Sequence, residues 1–419
     1  MSATKKNLTN TFLSTGIILI LQVVNIVLST QLLGSEGRGQ ISLYLLHIAI
    51  GAQIGSMVGG EALVFFTPRF NLKSLLSLSI QWNTFIMILS MTTFWWFGFS
   101  NESILLLGGA IFLQSSFQLF TQLGIGNLLI TKSNKAFLLS QCIFTTCILV
   151  FHSYNSLTET SFIGAYMIGL SVAIGFMIVH TKKFKTNSEL PSLTLKKALS
   201  NGFVIQFGNV AQTFNSRLSY FLLESLFANG KALVGVYSTA LLVSEKALVV
   251  PKSLGRVQLA ETANQANSLA LRTSQYFKLY IALAVVVMLV LLFVPNALYV
   301  FVFGSGFEDV GFFIRLLIPA MLLLMGSNAM SNYFSGLGMY KVNSMCTVIA
   351  LAISSTFAFT LIPIYANIGA AISTNIAFAI LCISQCWYFT RKNPDLPKTW
   401  LLPNKEDWSI LKQALSKVK

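Results

Sequence analysis

The sequence predicts an all-α polytopic integral membrane protein with about twelve transmembrane helices in two six-helix bundles. Of its 419 residues, 54% are hydrophobic and only 10% are charged, whereas a soluble domain carries about 25% charged residues. Apolar segments that reach the roughly 20 residues needed for a membrane helix recur along the whole chain. Charged residues nevertheless lie inside some of these segments, where each costs roughly 2.5–3.5 kcal/mol on insertion. Such charges predict a polar cavity through the membrane, and therefore a transporter.

The apolar segments define the predicted helices in order. They run over residues 8–33, 40–67, 74–98, 104–130, 136–152, 161–180, 198–227, 233–254, 274–303, 312–337, 342–363 and 369–390. Several exceed 20 residues, which predicts tilted helices or ends that project beyond the bilayer. We therefore divide the chain into a six-helix bundle at 1–180, a basic cytoplasmic loop at 181–197, a second six-helix bundle at 198–390 and a cytoplasmic tail at 391–419.

Lysines and arginines set the orientation of these helices. The net charge is +15, and most basic residues fall in alternate connections: the N-terminus, the central loop and the tail are the richest. Because positive connections stay in the cytoplasm, we predict that both termini are cytoplasmic, in the inner (plasma) membrane of a bacterium. This distribution forms no single basic patch, so nucleic acid is not a predicted partner. The segment Asp407–Lys419 has an apolar face and flanking lysines, which predicts an amphipathic helix on the membrane surface.

The two halves share short motifs. Gly39–Ser42 (GQIS) opens the second segment and Gly235–Ser238 (GVYS) opens the eighth. A Gly-x-Gly turn ends the fourth segment at Gly124–Gly126, and another ends the tenth at Gly336–Gly338. Six segments separate the members of each pair, as expected for two related bundles with a binding site between them.

Arg217 is the strongest candidate for a substrate-binding residue. It lies about ten residues from the outer end of its segment, which places it roughly 15 Å deep, near the membrane midplane. Tyr220 and Glu224 follow at three and seven residues, so all three share one helix face. Two interpretations remain open: Arg217 and Glu224 form a structural pair, or Arg217 faces the cavity as a cation for an anionic substrate and Glu224 tunes it.

The eighth segment carries a second set of candidates. Glu245 and Lys246 are adjacent, so their side chains point about 100° apart on a helix. One can line the cavity while the other pairs across helices. Pro251 lies one turn further and predicts a kink, which suits a moving helix and plain packing alike. We assign Lys246 to substrate binding, and Glu245 and Pro251 to coupling or gating.

Three further residues complete the predicted site. Glu61 lies in the cytoplasmic third of the second segment, after glycines at 51, 55 and 59 that predict close helix packing; we assign it to coupling or gating. Arg315 lies near the outer end of the tenth segment and either lines the cavity or extends to the interface. Gln212 belongs to a set of intramembrane amides that suit sugar hydroxyls, although amides also join helices.

No cofactor is predicted. The five cysteines and three histidines are scattered and show no metal-ligand spacing. The glycine-rich segment at 34–39 does not match a phosphate-binding GxxxxGK[ST] loop, so we predict no ATP hydrolysis. Coupling to H⁺ or Na⁺ is a hypothesis motivated by the intramembrane glutamates.

The order and spacing of several motifs resemble one known family, over about residues 8–390. The motifs are the turn at Gln31–Gln40, the GVYS start with Glu245 and Pro251, the segments at 304–307, 315–319 and 333–341, and the turn at Leu361–Ala371. Together they resemble the O-antigen and polysaccharide flippases of the Wzx type, in the multidrug/oligosaccharidyl-lipid/polysaccharide exporter superfamily. The resemblance implies a MATE-like flippase fold and no enzymatic activity.

The same resemblance implies a substrate and partners. The substrate would be an undecaprenyl-diphosphate-linked oligosaccharide repeat unit for O-antigen (lipopolysaccharide biosynthesis) or capsule, moved from the cytoplasmic to the outer leaflet by alternating access. Membrane lipids, and a polymerase and a chain-length regulator of the same pathway, would be its partners.

Three alternatives stay open to test. A multidrug antiporter of the same superfamily commonly has a carboxylate in its first helix, where this chain has only Gln22 and Asn25. A lipid II flippase usually has fourteen spans. A membrane polysaccharide polymerase needs a larger external loop than this sequence offers.

Overall fold

Fourteen α-helices make up most of the computed structural model, which describes residues 3–181, 190–264, 269–397 and 399–402. The helices are α1 (Ala3–Gly59), α2 (Ala62–Phe66), α3 (Leu72–Trp96), α4 (Asn101–Gly126), α5 (Ile130–Ser153), α6 (Glu159–Thr181), α7 (Leu195–Leu226), α8 (Gly230–Ala247), α9 (Val249–Ser253), α10 (Gly255–Asn264), α11 (Leu269–Phe293), α12 (Asn296–Phe303), α13 (Val310–Gly336) and α14 (Tyr340–Lys392). No strand occurs in these ranges. The predicted all-α membrane fold is confirmed. Part of the predicted basic loop and the whole of the predicted amphipathic helix lie outside the described residues.

Eight helical stretches in the described ranges are long and apolar enough to cross a membrane, judged by length and composition. They are the α1–α2 stretch and α3, α4, α5, α6, α11, α13 and α14. Helices α7 and α8, which we predicted to be the seventh and eighth spans, are not among them. Both carry charged residues along their length, and these charges lower their mean hydropathy. Twelve spans therefore remain a prediction.

Two connections that we predicted as loops are single-residue breaks inside long helices. Helix α1 continues through the predicted first turn with only Gly34 non-helical, at φ 66°. This conformation is open to glycine but costs other residues roughly 1–2 kcal/mol. Helix α14 breaks only at Ala366, at φ 45°, three residues after Pro363. As a result Arg38, which lies in the predicted first turn, is a buried residue of α1 that donates to Ser29 Oγ at 3.0 Å.

Prolines explain two other interruptions. The predicted ninth helix is split where α11 ends at Phe293 and Pro295 precedes α12. The predicted eighth helix ends at Ala247, after which α9 begins at Val249. Pro251 lies four residues beyond Ala247, and a proline ring clashes with the carbonyl four residues before it. The predicted eighth helix is therefore interrupted near Pro251, at the single residue Leu248 (φ -82°, ψ 7°).

The two Gly-x-Gly turns have the same geometry. Helix α4 ends at Gly126, a left-handed residue follows at Leu128 (φ 61°), and α5 begins at Ile130. Helix α13 ends at Gly336, a left-handed residue follows at Gly338 (φ 71°), and α14 begins at Tyr340. Corresponding backbone hydrogen bonds close both turns: Leu129 N–H to Gly124 O at 2.8 Å, and Met339 N–H to Phe334 O at 2.7 Å. The predicted repeat thus includes a shared turn.

The chain forms two compact units. One contains Met1–Val210 with Val302–Gly304, and the other contains Ala211–Phe301 with Ser305–Lys419. In the first unit, the predicted glycine ridge of α1 lets neighbouring helices approach closely: a Cβ on Gly51 would lie 2.6 Å from Ile111 Cδ1, and one on Gly55 would lie 3.0 Å from Ser115 Cβ. The predicted close packing at this ridge is confirmed.

The second unit is held together by polar contacts between apolar helices. Gln385 of α14 accepts from Ser327 Oγ at 2.7 Å and donates to Ser331 Oγ at 2.9 Å, both on α13. After α14 the chain returns to the bundle: Trp400 is buried and packs against Phe277 and Phe389. Since Asn215 of α7 also bonds α14, this unit has a fixed framework around α7 and α8.

Candidate functional site

An ion pair joins α7 and α8 in the second unit. Arg217 Nη2 donates to Glu245 Oε2 at 3.1 Å, and the two side chains are 26% and 18% exposed. The opposite face of α7 is fixed to α14, because Asn215 lies about 200° around the helix from Arg217 and donates to Thr347 O at 3.0 Å. The pair is therefore partly buried on a helix whose rotation is set by its other contacts.

Two tyrosines extend this site. Tyr220 lies one turn beyond Arg217 and interacts with it. Its ring meets that of Tyr237 of α8 edge to face, with centroids 6.1 Å apart. Tyr237 is fully buried and bonds Thr374 Oγ1 at 2.8 Å and Ala370 O at 3.3 Å on α14. This chain of contacts holds Tyr220 against Arg217, as the predicted shared face requires.

The ion pair lies next to two lysines. Lys246 interacts electrostatically with Glu245, Arg217 and Lys252. The break before Pro251 ends α8 and places Lys252 on the short helix α9, where its side chain is exposed. Lys246 thus lies near the ion pair, and Lys252 lies near Lys246. We call Arg217, Glu245, Lys246 and Lys252 the charge cluster; it has a surplus of two positive charges.

A cavity of about 370 Å³ adjoins Lys252. Its lining residues come from α9, α10, α11 and α13: Lys252, Gly255, Leu259, Tyr280, Asn328 and Asn332. Asn332 Nδ2 donates to Tyr280 Oη at 3.1 Å, and Gln258 Nε2 donates to Ala329 O at 2.8 Å behind it. Lys252 and Leu259 are exposed at its edge, so the cavity is open. Its wall combines one cation with two amides.

The structure does not bring every predicted residue to this site. Glu224 does not pair with Arg217; it interacts with Lys231, across the turn that follows α7. The structural Arg217–Glu224 pair that we considered is therefore wrong, because Glu245 is the partner. Gln212 precedes Arg217 by five residues, which is about 140° around α7, so the two side chains point in different directions.

Two other predicted residues have different surroundings. Glu61 is exposed and lies in the break between α1 and α2, not inside a helix as we predicted. Arg315 donates to two carbonyls at the end of α11, Leu292 O at 3.3 Å and Val294 O at 2.9 Å. These carbonyls have no partner within their own helix. Arg315 thus stabilises the end of α11.

None of the cavity residues is among the site residues that we predicted from sequence. Asn328 and Asn332 are one helical turn apart on a single face of α13, and this four-residue spacing was the available signal. Their proximity to Lys252 depends on the packing of α9 against α13.

Comparisons with known proteins agree with this architecture. The chain is similar to the solved structure of the lipid II flippase MurJ in an inward closed conformation, with a TM-score of 0.69 at 15% identity, over 97% of this chain and 96% of that one. It is also similar to an inward-facing multidrug resistance MATE family transporter of the MOP superfamily, with a TM-score of 0.68 at 14% identity, over 91% and 96% of the two chains. A MOP superfamily transporter from Pyrococcus furiosus gives 0.62 at 14% identity, over 93% and 95%.

Among curated proteins, the capsular polysaccharide biosynthesis protein CapF of Staphylococcus aureus is 24% identical over 196 residues. The match covers 45% of this chain and 48% of CapF, so it spans about half the length of that relative. No protein-family model matches the chain.

The number of predicted spans was our argument against a lipid II flippase. This argument no longer holds, because the similarity to the MurJ structure extends over 97% of this chain and 96% of that one. The chain is a multi-pass membrane protein with the fold of the MOP superfamily transporters, as its motifs predicted.

Proposed function

We propose that this protein is a flippase for undecaprenyl-diphosphate-linked oligosaccharide repeat units of the O-antigen or capsule type. It would move them from the cytoplasmic to the outer leaflet of a bacterial inner membrane, with both of its own termini in the cytoplasm. The observation that carries the proposal is the charge cluster, because its surplus of two positive charges matches a diphosphate diester, which carries two negative charges. The names of the relatives support it: MurJ is a lipid II flippase, and CapF serves capsular polysaccharide biosynthesis.

The ion pair explains how the charge cluster is stabilised within the membrane before the substrate binds. An unpaired guanidinium in the membrane is costly, and Glu245 offsets this cost. An incoming diphosphate offers Arg217 a bidentate partner of higher charge, as guanidinium groups prefer. Glu245 then retains its electrostatic interaction with Lys246, its neighbour on α8. The exchange of partners couples substrate binding to the relation between α7 and α8, which is what alternating access requires.

The membrane potential supplies part of the driving force. One charge crossing 100 mV is worth about 2.3 kcal/mol, and an outward-moving dianion gains roughly twice that. Coupling to H⁺ or Na⁺ through Glu245 or the other glutamates is a separate hypothesis. Equal flux in vesicles with and without an ion gradient would contradict it.

The proposal is tested by deleting the gene in its own host and complementing it with wild type, Arg217→Ala or Lys231→Ala. Surface polysaccharide and the cytoplasmic pool of lipid-linked repeat units are measured together. We expect lost polymer and an accumulated pool in the deletion, rescue by wild type and by the Lys231 control, and poor rescue by Arg217→Ala. Unchanged polymer with altered drug tolerance would contradict the proposal and favour a multidrug antiporter. Lost polymer whose lipid-linked repeat unit already lies in the outer leaflet would favour a polymerase.

A further inference from the structure

We propose that the cavity between α9–α10, α11 and α13 binds the sugar phosphate end of the substrate, with the phosphate on Lys252 and the first sugar against Asn328 and Asn332. This inference rests on the proposed function, because it assigns one part of that substrate to one place in the fold. It separates the diphosphate-binding charge cluster from a sugar-binding wall, with Lys252 belonging to both.

The size of the cavity limits its ligand. At about 370 Å³, it falls near the lower end of the roughly 300–1,000 Å³ typical of small-molecule sites. Four helices of one unit line it, so the walls are held by the same framework that positions α7 and α8. A single sugar ring with its phosphate suits this space, whereas a whole oligosaccharide does not.

The charge of the lining selects an anion. All six lining residues lie in the described part of the chain, and Lys252 is the one charged side chain among them. A lysine ammonium offers three donors and no acceptor. With no carboxylate among these lining residues, an amine or an organic cation finds no opposite charge here. This composition favours a phosphate over the cationic ligands typical of multidrug transport.

The two amides suit hydroxyl groups. An asparagine side chain offers two N–H donors and an oxygen acceptor, and a sugar hydroxyl can use either. Asn332 Nδ2 already donates to Tyr280 Oη at 3.1 Å, which fixes the orientation of the amide. Tyr280 is fully buried, so it is a positioning residue behind Asn332. Leu259 adds an apolar surface at the rim, against which the C–H face of a sugar can pack.

Gly255 keeps the cavity open. A Cβ built on Gly255 would lie 2.8 Å from Asn332 Nδ2 and 3.2 Å from Tyr280 Oη. Any side chain at this position therefore displaces the Asn332 amide. The close approach of α10 to α13 at this point needs glycine, and Gly255→Ala disturbs the sugar wall without changing charge.

Binding of glucose 1-phosphate to the purified full-length chain tests this site. The protein is placed in phosphatidylcholine nanodiscs, and calorimetry compares glucose 1-phosphate with inorganic phosphate and glucose. We expect glucose 1-phosphate to bind more tightly than either fragment. Lys252→Gln removes a charge-assisted hydrogen bond and should weaken binding about tenfold or more. Asn332→Leu and Gly255→Ala should reduce the preference for glucose 1-phosphate over inorganic phosphate.

Lys278→Gln is the matched control for charge. Lys278 lies on α11 in the same unit, but its ammonium donates to Leu402 O at 3.3 Å and does not line the cavity. The Lys278→Gln variant should bind glucose 1-phosphate as tightly as wild type does. The inference would be overturned if Lys252→Gln binds glucose 1-phosphate as tightly as wild type and has the same melting temperature. A preference for glucose 1-phosphate that Asn332→Leu and Gly255→Ala both leave intact would overturn the sugar wall.

Two measurements distinguish a substrate site at this cavity from a site for a membrane lipid. Adding phosphatidylglycerol to the nanodiscs tests whether the head group of an anionic lipid is the ligand; loss of glucose 1-phosphate binding at modest phosphatidylglycerol content would overturn the assignment to substrate. In the host, Lys252→Gln and Asn332→Leu are assayed for repeat-unit accumulation. Normal export with failed binding would overturn the cavity assignment and leave the flippase proposal standing. Intact glucose 1-phosphate binding in a protein that exports no repeat unit would overturn the flippase proposal and leave the cavity assignment standing.

Discussion

Arg217 of α7 and Glu245 of α8 are joined at 3.1 Å, although 28 residues and a turn separate them in the sequence. The two partners of this ion pair lie on different helices. This pair ties α7 to α8, two helices that are not among the eight apolar stretches of membrane length. The proposed mechanism depends on exchanging this pair for a substrate contact.

Reversing the pair separates its structural role from its binding role. Glu245→Gln leaves a partly buried guanidinium without its carboxylate, and we expect a loss of about 2 kcal/mol in unfolding free energy, between the values for exposed and buried pairs. The double change Arg217→Glu with Glu245→Arg should recover most of this stability but not export, because the cation is then on the other helix. Melting temperatures in detergent and repeat-unit export measure the two effects. A double variant no more stable than Glu245→Gln would contradict the pairing.

Pro251→Ala should join α8 to α9. Alanine restores the backbone N–H that proline lacks and removes the clash with the Ala247 carbonyl. We expect unchanged or higher stability with reduced export, since Lys252 then follows the axis of α8 away from the cavity. Pro319→Ala is the control, because Pro319 lies within the continuous helix α13. Export reduced equally by both changes would show that the break at Pro251 has no special role.

Arg315→Met tests whether this residue binds substrate or stabilises α11. Its guanidinium bonds the carbonyls of Leu292 and Val294, so we expect a loss of about 1–3 kcal/mol in stability. Export per folded molecule should stay near wild type. Thermal unfolding and export normalised to protein abundance give the answer. A stable variant that exports poorly would return Arg315 to the substrate site.

The paired turns predict opposite effects of exchanging their residues. Leu128 adopts φ 61° and is 84% exposed, whereas glycine adopts the corresponding conformation at Gly338. Leu128→Gly relieves a strain of roughly 1–2 kcal/mol, partly offset by the entropy of glycine in the unfolded chain. We expect a small rise in melting temperature for Leu128→Gly and a fall for Gly338→Leu. The same sign for both changes would contradict the equivalence of the turns.

The all-α membrane fold was largely accessible from sequence, because the length of an apolar segment is a local property. The interruption between α8 and α9 was also predictable from Pro251, because the missing N–H and the ring clash involve only its own helix. The breaks at Gly34 and Ala366 were predicted as loops from the turn-forming residues and the proline near them. These sequence signals are the same whether one residue or six residues depart from the helical conformation.

The candidate site was less accessible. The spacing of Arg217 and Glu224 on one helix suggested a pair, but the actual partner, Glu245, depends on how α7 and α8 are rotated about their axes. That rotation is set by contacts such as Asn215 with α14, which no local pattern encodes. Lys252 was not predicted as a site residue, because a lysine near the end of an apolar segment can mark either orientation or binding.

The contact between Ser274 and Trp400 also bears on the order of biosynthesis. Ser274 Oγ of α11 donates to the Trp400 carbonyl at 2.7 Å across 126 residues of sequence. At ribosomal rates of about 5–20 residues per second, roughly 6–25 s pass between the synthesis of these two residues. During that interval Ser274 and Phe277 lack the cover that Trp400 later provides. The nascent chain therefore presents an unfinished surface on α11 to the insertion machinery until the last part of the bundle is made.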